Sequence, residues 1–261
     1  HIMRRRQRQM CIRDRPDPDD NASLAHSFEQ SVEKYKNKDF IFFEDQTWTY
    51  SEINNTANIL AHKLIEDGIS HGDKVILFME NRPSYVSTIL ALNKIGAIGV
   101  LINTSLKGEP LIHCINSSNS KKCIFGAELS GSLEGVLSSI NITAKSDIYW
   151  VQDLPNDNCP EWATDINKIL DLSKTDNLSE TNNVTAKDIA FYIFTSGTTG
   201  VPKAALFPNV KIVASSTNIT RGGYRMNSED CLYNCLPLYH STGMMLGPVS
   251  YTHLTLPTTH D

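Results

Sequence analysis

The stretch Tyr192-Ile-Phe-Thr-Ser-Gly-Thr-Thr-Gly-Val-Pro-Lys203 decides how this chain is organised. It begins inside a continuous apolar run, Ile189 to Phe194, which has the length of a buried strand. The run leads directly into a loop of glycine and small hydroxyl residues that ends at Lys203 and holds no acidic residue. Glycines let backbone N–H groups approach an anion closely, and the lysine adds a positive charge. The stretch therefore predicts a strand followed directly by a polyphosphate-binding loop.

Spacing separates this loop from two other glycine-containing motifs. A P-loop needs Gly-Lys-Ser/Thr after four intervening residues, but Pro202 stands five positions after Gly197 and Ala204 follows the lysine. A nucleophile elbow needs glycine two residues before its serine, and Phe194 occupies that position before Ser196. Neither motif describes the loop.

Upstream of the loop, apolar strand patterns alternate with helical ones. A capping box, Thr49-Tyr-Ser-Glu52, predicts a helix that ends near Gly68, and Pro83 opens a second helix through about Ile95. A third helix is predicted over 111–117, and strands are predicted over 74–79, 99–102, 122–125 and 147–151. Strand, helix, strand, helix, strand predicts an α/β fold, a parallel sheet with crossover helices.

The patterns around and beyond the loop are weaker. Between 128 and 187 the sequence is rich in Ser, Asn, Asp and Thr, and it predicts surface loops with one short helix near 163–171. Downstream, a helix is predicted near 208–219 and a strand over Cys231 to Leu236. Four residues apart on a strand, Cys231 and Cys235 lie too far apart for a disulfide, so we expect buried free thiols and a reducing compartment.

Charge and hydropathy exclude two classes of partner for this part of the protein. The formal net charge is −5, and since residues 1–15 contribute +5 and Asp261 contributes −1, residues 16–250 carry −9. An acidic body argues against a nucleic-acid groove, which needs a basic face. No apolar run reaches the roughly 20 residues of a membrane span, and the polar, Arg-rich start does not look like a signal peptide.

The loop sequence Thr-Ser-Gly-Thr-Thr-Gly-Val-Pro-Lys, residues 195–203, resembles the signature of the adenylate-forming, AMP-binding enzymes. Other stretches are similar to one branch of these enzymes, the fatty-acid transport proteins, also called very-long-chain acyl-CoA synthetases. They are Lys203-Ala-Ala205, Leu236 to Gly247, and Asn81-Arg-Pro-Ser-Tyr85 with Gly96, Asn103 and Leu111 to Cys114 downstream. The resemblance covers about 22–248 and implies a partial large N-terminal domain of such an enzyme.

The resemblance implies a reaction in two steps. A fatty carboxylate attacks the α-phosphate of ATP to give an acyl-adenylate and pyrophosphate, and CoA then displaces AMP. ATP and Mg²⁺ are the implied cofactors, with CoA as co-substrate. The implied nucleotide-binding residues are Thr195, Ser196, Gly197, Thr198, Thr199, Gly200 and Lys203.

Within that set the resemblance implies separate roles. Ser196 to Gly200 would cradle the β- and γ-phosphates, Thr195 would help to hold Mg²⁺, and Lys203 would act catalytically as the cation of the loop. Tyr239 and His240 match an aromatic–histidine pair that lies near the acyl carboxylate, and His240 is the second catalytic candidate. Read without the resemblance, a packed core histidine is the better interpretation of His240.

The resemblance also suggests how the chain is divided. We expect 1–21 and 249–261 to be tails outside the fold, with a partial AMP-binding domain over 22–248. The family continues with an acidic Mg²⁺ ligand, an adenine-binding segment and a C-terminal domain, so we expect residues 1–261 to be inactive alone. In the parent protein we expect a cytosolic catalytic domain and membrane association through segments outside this chain.

Two other functions stay open on the sequence. One is fatty-acid transport or binding, in which uptake is the main output and ligation drives it by trapping the acid. The other is the adenylation of an amino acid or aryl acid. A carrier domain downstream of this chain would favour the second alternative, and an N-terminal membrane span would favour the first.

Overall fold

The computed structural model describes residues 16–195, 202–218, 226–227 and 229–250, which form a twisted sheet with helices on both faces. The helices are α1 Leu24–Tyr35, α2 Tyr50–Glu66, α3 Pro83–Lys94, α4 Gly108–Ser118, α5 Ser130–Glu134, α6 Asn209–Thr217 and α7 Ser241–Met244. The strands are β1 Asp39–Phe43, β2 Gln46–Thr49, β3 Lys74–Phe78, β4 Ile98–Leu101, β5 Lys122–Gly126, β6 Ile148–Val151, β7 Thr164–Asp165, β8 Ile189–Thr195 and β9 Lys203–Pro208.

The main sheet has seven strands in the order β7-β6-β5-β3-β4-β8-β9. Every neighbouring pair is parallel except β8 and β9, which run antiparallel. The chain leaves β3 for β4 on one side and then crosses to β5 on the other, so the order of the strands reverses between β3 and β5. The predicted α/β fold with a parallel sheet is confirmed, and β9 adds an antiparallel edge.

Local sequence signals account for the helices that flank the centre of the sheet. Thr49 accepts a hydrogen bond from the backbone of Glu52, whose carboxylate accepts one from the Thr49 N–H, as the predicted capping box requires. Gly68 ends the same helix with a φ of +79°, a conformation that favours glycine. Pro83 opens α3 at its first position, where its missing N–H removes no helical hydrogen bond.

Alternate residues of the central strands pack into two separate apolar cores, one on each face of the sheet. Val75 and Leu77 of β3 face the layer formed by α1, α2 and α3. Ile76 and Phe78 face the layer that contains α4 and α5. Because the side chains of a strand alternate between faces, a strand covered on both sides is apolar over its buried length, as residues 75–78 of β3 are.

Two predicted elements of the loop-rich regions are wrong. Instead of a helix near 163–171, Thr164–Asp165 forms the edge strand β7 and Ile166–Lys168 a single 3-10 turn. Strand pairing outweighs the local helical pattern, because Thr164 pairs with Tyr149 of β6. The carboxylate of Asp165 then accepts the Asn167 N–H and closes the turn.

The predicted strand over Cys231 to Leu236 is also wrong, because these residues form an irregular segment. Side-chain hydrogen bonds replace strand pairing there, because the Asn81 amide donates to the Leu236 carbonyl and the Asn234 amide oxygen accepts the Leu236 N–H. Consequently Cys231 and Cys235 are exposed rather than buried, whereas Cys114 and Cys123 are buried as free thiols.

The two predicted tails differ in how much of them the structure describes. Residues 1–15 and 251–261 lie outside the described residues. Residues 16–21 are described and run beside the segment that precedes β8, where the Ala186 N–H donates to the Asp20 carbonyl at 2.9 Å and the Lys187 N–H to the Pro18 carbonyl at 3.0 Å. No helix within the described ranges is both long and apolar enough to cross a membrane.

Candidate active site

The carboxyl ends of the parallel strands bring separate parts of the sequence to one edge of the sheet. In parallel sheets the loops that leave this edge supply the ligand-binding groups, above all next to the point where the strand order reverses. The polar residues that follow β3, β4, β5 and β6 or end β8 at this edge are Asn81, Asn103, Glu128, Asp153 and Thr195. We refer to this side of the sheet as the carboxyl edge.

Thr195 and Lys203 form the base of the predicted phosphate loop. Thr195 ends β8, Lys203 begins β9, and the two residues pair directly across the antiparallel ladder. The Thr195 hydroxyl donates to the Lys203 carbonyl at 3.4 Å, and both side chains are exposed. The predicted loop residues Ser196, Gly197, Thr198, Thr199 and Gly200 lie outside the described residues.

His113 supports the base of the loop from α4. Its Nε2 atom lies 3.1 Å from the Pro202 carbonyl, within hydrogen-bond distance. The helix that covers one face of the sheet thus contacts the residue just before β9. The sequence associates His113 with the family resemblance but assigns it no role.

A charged cluster fixes the loop between β3 and α3. The Arg82 guanidinium lies 2.7 Å from a Glu128 carboxylate oxygen and 3.1 Å from an Asp153 carboxylate oxygen. The same Glu128 carboxylate accepts the Glu80 N–H at 2.7 Å. Only 9% of the Arg82 side chain is exposed, so the guanidinium is largely shielded from solvent and its two carboxylate partners hold it in place.

Tyr239 and His240 reach the carboxyl edge through Asn81. The Asn81 side-chain amide donates to the Leu236 carbonyl at 2.8 Å and accepts the Leu238 N–H at 2.7 Å. Tyr239 follows as a half-buried residue packed against the α1–α3 core. His240 is exposed and caps the start of α7, where its Nδ1 accepts the Thr242 N–H at 3.3 Å, so it is not a packed core histidine.

Tyr85 is a polar group that the sequence analysis did not single out by itself. It lies on the first turn of α3 with no exposed surface, and its hydroxyl has no hydrogen-bond partner among the described residues. Burial, together with the nearby Tyr239, raises the pKa of this phenol well above its usual value. The hydroxyl is therefore neutral and free to act as a donor.

The described residues offer little to hold a metal ion by themselves. No group of three or more His, Cys, Asp or Glu side chains within the described ranges is arranged to bind one. Thr195 can contribute a single neutral hydroxyl oxygen. Such a ligand fits Mg²⁺ only if nucleotide phosphates and water complete the coordination.

Sequence reasoning missed the two contacts that organise this edge. The clamp made by Asn81 and the cluster of Arg82 with Glu128 and Asp153 join residues that are far apart in the chain. The signal that pointed to them was the family-like stretch Asn81 to Tyr85, which carried no assigned role.

Comparison with known proteins agrees with this architecture. The AMP-binding enzyme family matches residues 28–254. The chain is 33% identical over 228 residues to long-chain fatty acid transport protein 6 of Mus musculus, covering 86% of this chain and 36% of that protein. It is also 33% identical over 227 residues to a medium/long-chain-fatty-acid–CoA ligase of Mycobacterium tuberculosis, covering 87% of this chain and 36% of that ligase.

Solved structures show the same fold. An anthranilate CoA ligase in complex with anthranoyl-AMP superposes with a TM-score of 0.79 at 20% identity, covering 89% of this chain and 43% of that one. A long-chain-fatty-acid–CoA ligase from Archaeoglobus fulgidus gives a TM-score of 0.71 at 22% identity, covering 91% of this chain and 45% of that one. The chain thus spans about a third of the length of its curated relatives, and it belongs to the AMP-binding enzyme family, with similarity to the long-chain fatty acid transport proteins and fatty-acid–CoA ligases.

Proposed function

We propose that the protein containing this chain activates long- or very-long-chain fatty acids to acyl-CoA through an acyl-adenylate, with ATP and CoA as co-substrates. The observation that carries the proposal is the hairpin of β8 and β9, which pairs Thr195 with Lys203 and brackets the family loop at the carboxyl edge. The printed names of the curated relatives, fatty acid transport proteins and a fatty-acid–CoA ligase, support the choice of a fatty acid.

In this proposal the loop neutralises the nucleotide phosphates. Residues 196–200 supply backbone N–H groups and hydroxyls to the β- and γ-phosphates, and Lys203 supplies a positive charge at the start of β9. Phosphoryl transfer depends mainly on holding the groups in line and on stabilising the developing charge. Thr195 would contribute one oxygen to Mg²⁺, which supplies further neutralisation of the phosphate charge when it is bound.

Tyr239 and His240 would contact the carboxylate of the fatty acid. The exposed imidazole of His240 stands at the start of α7, on a segment tied to the carboxyl edge through Leu236 and Leu238. From there it can orient the carboxylate toward the α-phosphate. Holding two reacting groups in a fixed geometry accounts for a large share of many enzymatic rate enhancements.

A second candidate function is fatty-acid uptake driven by ligation. The name of the fatty acid transport proteins among the relatives favours it. In that case the parent protein associates with a membrane, and the conversion to acyl-CoA traps the acid on one side. Fatty-acid uptake by cells that express a ligation-inactive variant separates the two functions, because uptake that depends on trapping falls together with ligation.

Substitutions in the loop test the nucleotide role. In the full-length protein, Lys203→Ala removes a cation and Gly200→Val blocks backbone approach, so each should lower oleate-dependent ATP–pyrophosphate exchange by about 100-fold or more. The control is Lys174→Ala, which removes an exposed lysine from the loop that packs against α2. Exchange at the control rate in both loop variants would disprove the assignment of the loop.

The choice of acid is tested separately. AMP release should occur with oleate or longer acids in the presence of CoA, and amino acids should give none. AMP release with an amino acid or aryl acid but not with a fatty acid would replace the proposed substrate while leaving the nucleotide loop in place.

A further inference from the structure

We propose that Asn81 is a positioning residue, which holds the segment 236–240 at the carboxyl edge so that Tyr239 and His240 meet the acyl carboxylate. This inference rests on the proposed function, in which that segment contacts the acid. Asn81 belongs to the family-like stretch that opens α3, a stretch to which the reaction described above assigns no task.

The Asn81 side chain makes the two backbone hydrogen bonds that a neighbouring strand would otherwise make. Its amide N–H donates to the Leu236 carbonyl at 2.8 Å, and its amide oxygen accepts the Leu238 N–H at 2.7 Å. A side-chain amide has one donor group and one acceptor group, and here both are used on backbone atoms two residues apart. The irregular segment is thereby paired with the sheet region although it forms no strand.

Leu238 and Tyr239 pack against the α1–α3 core, but few other polar contacts fix this segment from outside. Within the part of the chain that the structure describes, the other hydrogen bonds of residues 234–240 stay inside the segment or run to α7. Asn234, for example, accepts the Leu236 N–H and donates to the Gly243 carbonyl, both at 3.2 Å. The clamp by Asn81 is therefore the polar link that sets the segment relative to the carboxyl edge.

Asn81 is itself held firmly. It lies between Glu80, whose N–H donates to the Glu128 carboxylate, and Arg82, whose guanidinium pairs with Glu128 and Asp153. These contacts tie its backbone to the ends of β5 and β6. Because Asn81 is fixed relative to the sheet, its two hydrogen bonds also fix residues 236–238 relative to the sheet.

The expected consequence is specific to the acid. Without the clamp, Tyr239 and His240 lose their fixed position, whereas Thr195 and Lys203 stay on the β8–β9 ladder. Loss of orientation should raise KM for the fatty acid and lower kcat, while KM for ATP changes little.

Asn116 offers a matched control on the same fold. Its side chain donates to the Ser139 carbonyl at 2.9 Å and accepts the Asn141 N–H at 2.8 Å, so it clamps a loop two residues apart in the same way. It is half-buried like Asn81, and it lies near the end of α4, away from segment 236–240. Asn116→Ala therefore removes the same chemistry from a place without a proposed role.

The experiment compares Asn81→Ala, Asn81→Asp and Asn116→Ala in the full-length protein. Hydrogen exchange of the Leu238 amide should become at least tenfold faster in Asn81→Ala and stay unchanged in Asn116→Ala. In Asn81→Asp the carboxylate still accepts the Leu238 N–H but cannot donate to Leu236, so the Leu238 amide should remain protected. KM for oleate should rise about tenfold in Asn81→Ala, with KM for ATP within twofold of the wild type.

Each result decides one of the two proposals. Unchanged Leu238 exchange in Asn81→Ala, or an equal rise of KM for oleate in Asn116→Ala, overturns the positioning role. If Asn81→Ala does not fold, Asn81→Asp decides. A carboxylate oxygen in place of the amide N–H repels the Leu236 carbonyl and breaks that half of the clamp, so KM for oleate should rise, and an unchanged KM overturns the role. If the wild type shows no oleate-dependent ATP–pyrophosphate exchange, the proposed function is wrong. The hydrogen-exchange rate of the Leu238 amide still tests whether Asn81 holds the segment.

Discussion

The two ends of the parallel sheet are built differently. At the end where β3, β5, β6 and β8 begin, three aspartates each have a basic partner nearby. Asp73 pairs with Lys121 and accepts the Ser70 N–H. Asp147 pairs with Lys122. Asp188 pairs with His71 and accepts the Thr185 N–H. Asp73 and Asp188 each close a short local turn, while the ion pairs join residues that lie further apart in the chain, so the polar groups at this end are used within the fold.

At the carboxyl edge the groups come from distant parts of the chain. Asn81 reaches 155 residues along the chain to Leu236 and 157 to Leu238. Thr195, Lys203 and His240 are exposed there, while the Tyr85 hydroxyl is buried without a partner among the described residues. At the beginning of the strands these polar groups pair with one another, whereas at the carboxyl edge several of them are available to a ligand.

Thiol labelling measures the largest difference between the sheet and the carboxyl-edge segment. Cys123 lies inside β5 without exposed surface, and burial raises the pKa of its thiol, whereas Cys231 and Cys235 are exposed. With iodoacetamide at pH 8, labelling of Cys231 and Cys235 should be at least about 1000-fold faster than that of Cys123, because a buried thiol reacts only on unfolding. Peptide mapping by mass spectrometry resolves the sites, and labelling of all three at one rate in urea is the control.

A truncation in the centre of the sheet should have the largest effect on stability. Leu77 of β3 has no exposed surface and pairs with Leu101 on one side and Ile124 on the other. Leu77→Ala should therefore cost about 3 kcal/mol of unfolding free energy, from the lost burial and the cavity. Tyr233→Ala in the irregular segment, where the side chain is 89% exposed, should change it by less than about 0.5 kcal/mol. Urea denaturation checks both, and equal costs would contradict the comparison.

The sequence predicts the sheet well because its signals are local. The apolar run of β3, the capping box at Thr49 and the proline at 83 each act within a few residues, and each is found where it was expected. A strand covered on both faces has an apolar sequence whatever lies beyond it in the chain.

The errors arise where the structure depends on contacts between residues that are distant in the chain. Whether Cys231 to Leu236 forms a strand depends on partners elsewhere in the chain, and the Leu236 carbonyl is held by the side chain of Asn81 rather than by a strand. The pairing of Thr164 with Tyr149 likewise involves a strand 15 residues away in sequence. Motif resemblance, rather than periodicity, indicated Lys203 and His240, and their assigned roles remain proposals.

The charged pairs at the beginning of β8 should make stability depend on pH. Burial tends to raise the pKa of Asp188, but hydrogen bonds from Thr185 and the contact with His71 outweigh it, so the pKa falls below its ordinary value of 3.8. A lowered carboxyl pKa stabilises the fold above about pH 4, and the contribution disappears as pH falls through the folded-state pKa. Asp188→Asn should therefore cost about 1 kcal/mol at pH 7 and nothing measurable near pH 2.

Asp176→Asn is the control for that pH dependence, because Asp176 is exposed on the loop near α2. Its urea midpoint should match the wild type at both pH values. A cost of Asp188→Asn that stayed the same from pH 7 to pH 2 would show that the carboxylate charge does not carry the effect.

Two buried tyrosines give the smallest and most direct test of the difference between the ends of the sheet. Tyr149, near the start of β6, donates its hydroxyl to Asp67, whereas the Tyr85 hydroxyl has no partner among the described residues. Tyr149→Phe should cost about 1 to 2 kcal/mol, because it leaves a partly buried carboxylate short of a donor. Tyr85→Phe should leave the unfolding free energy unchanged or raise it by up to about 1 kcal/mol, since an unpaired buried hydroxyl is unfavourable. The same urea titrations measure both, and a loss in Tyr85→Phe as large as that in Tyr149→Phe would mean that the carboxyl edge is as fully satisfied as the other end.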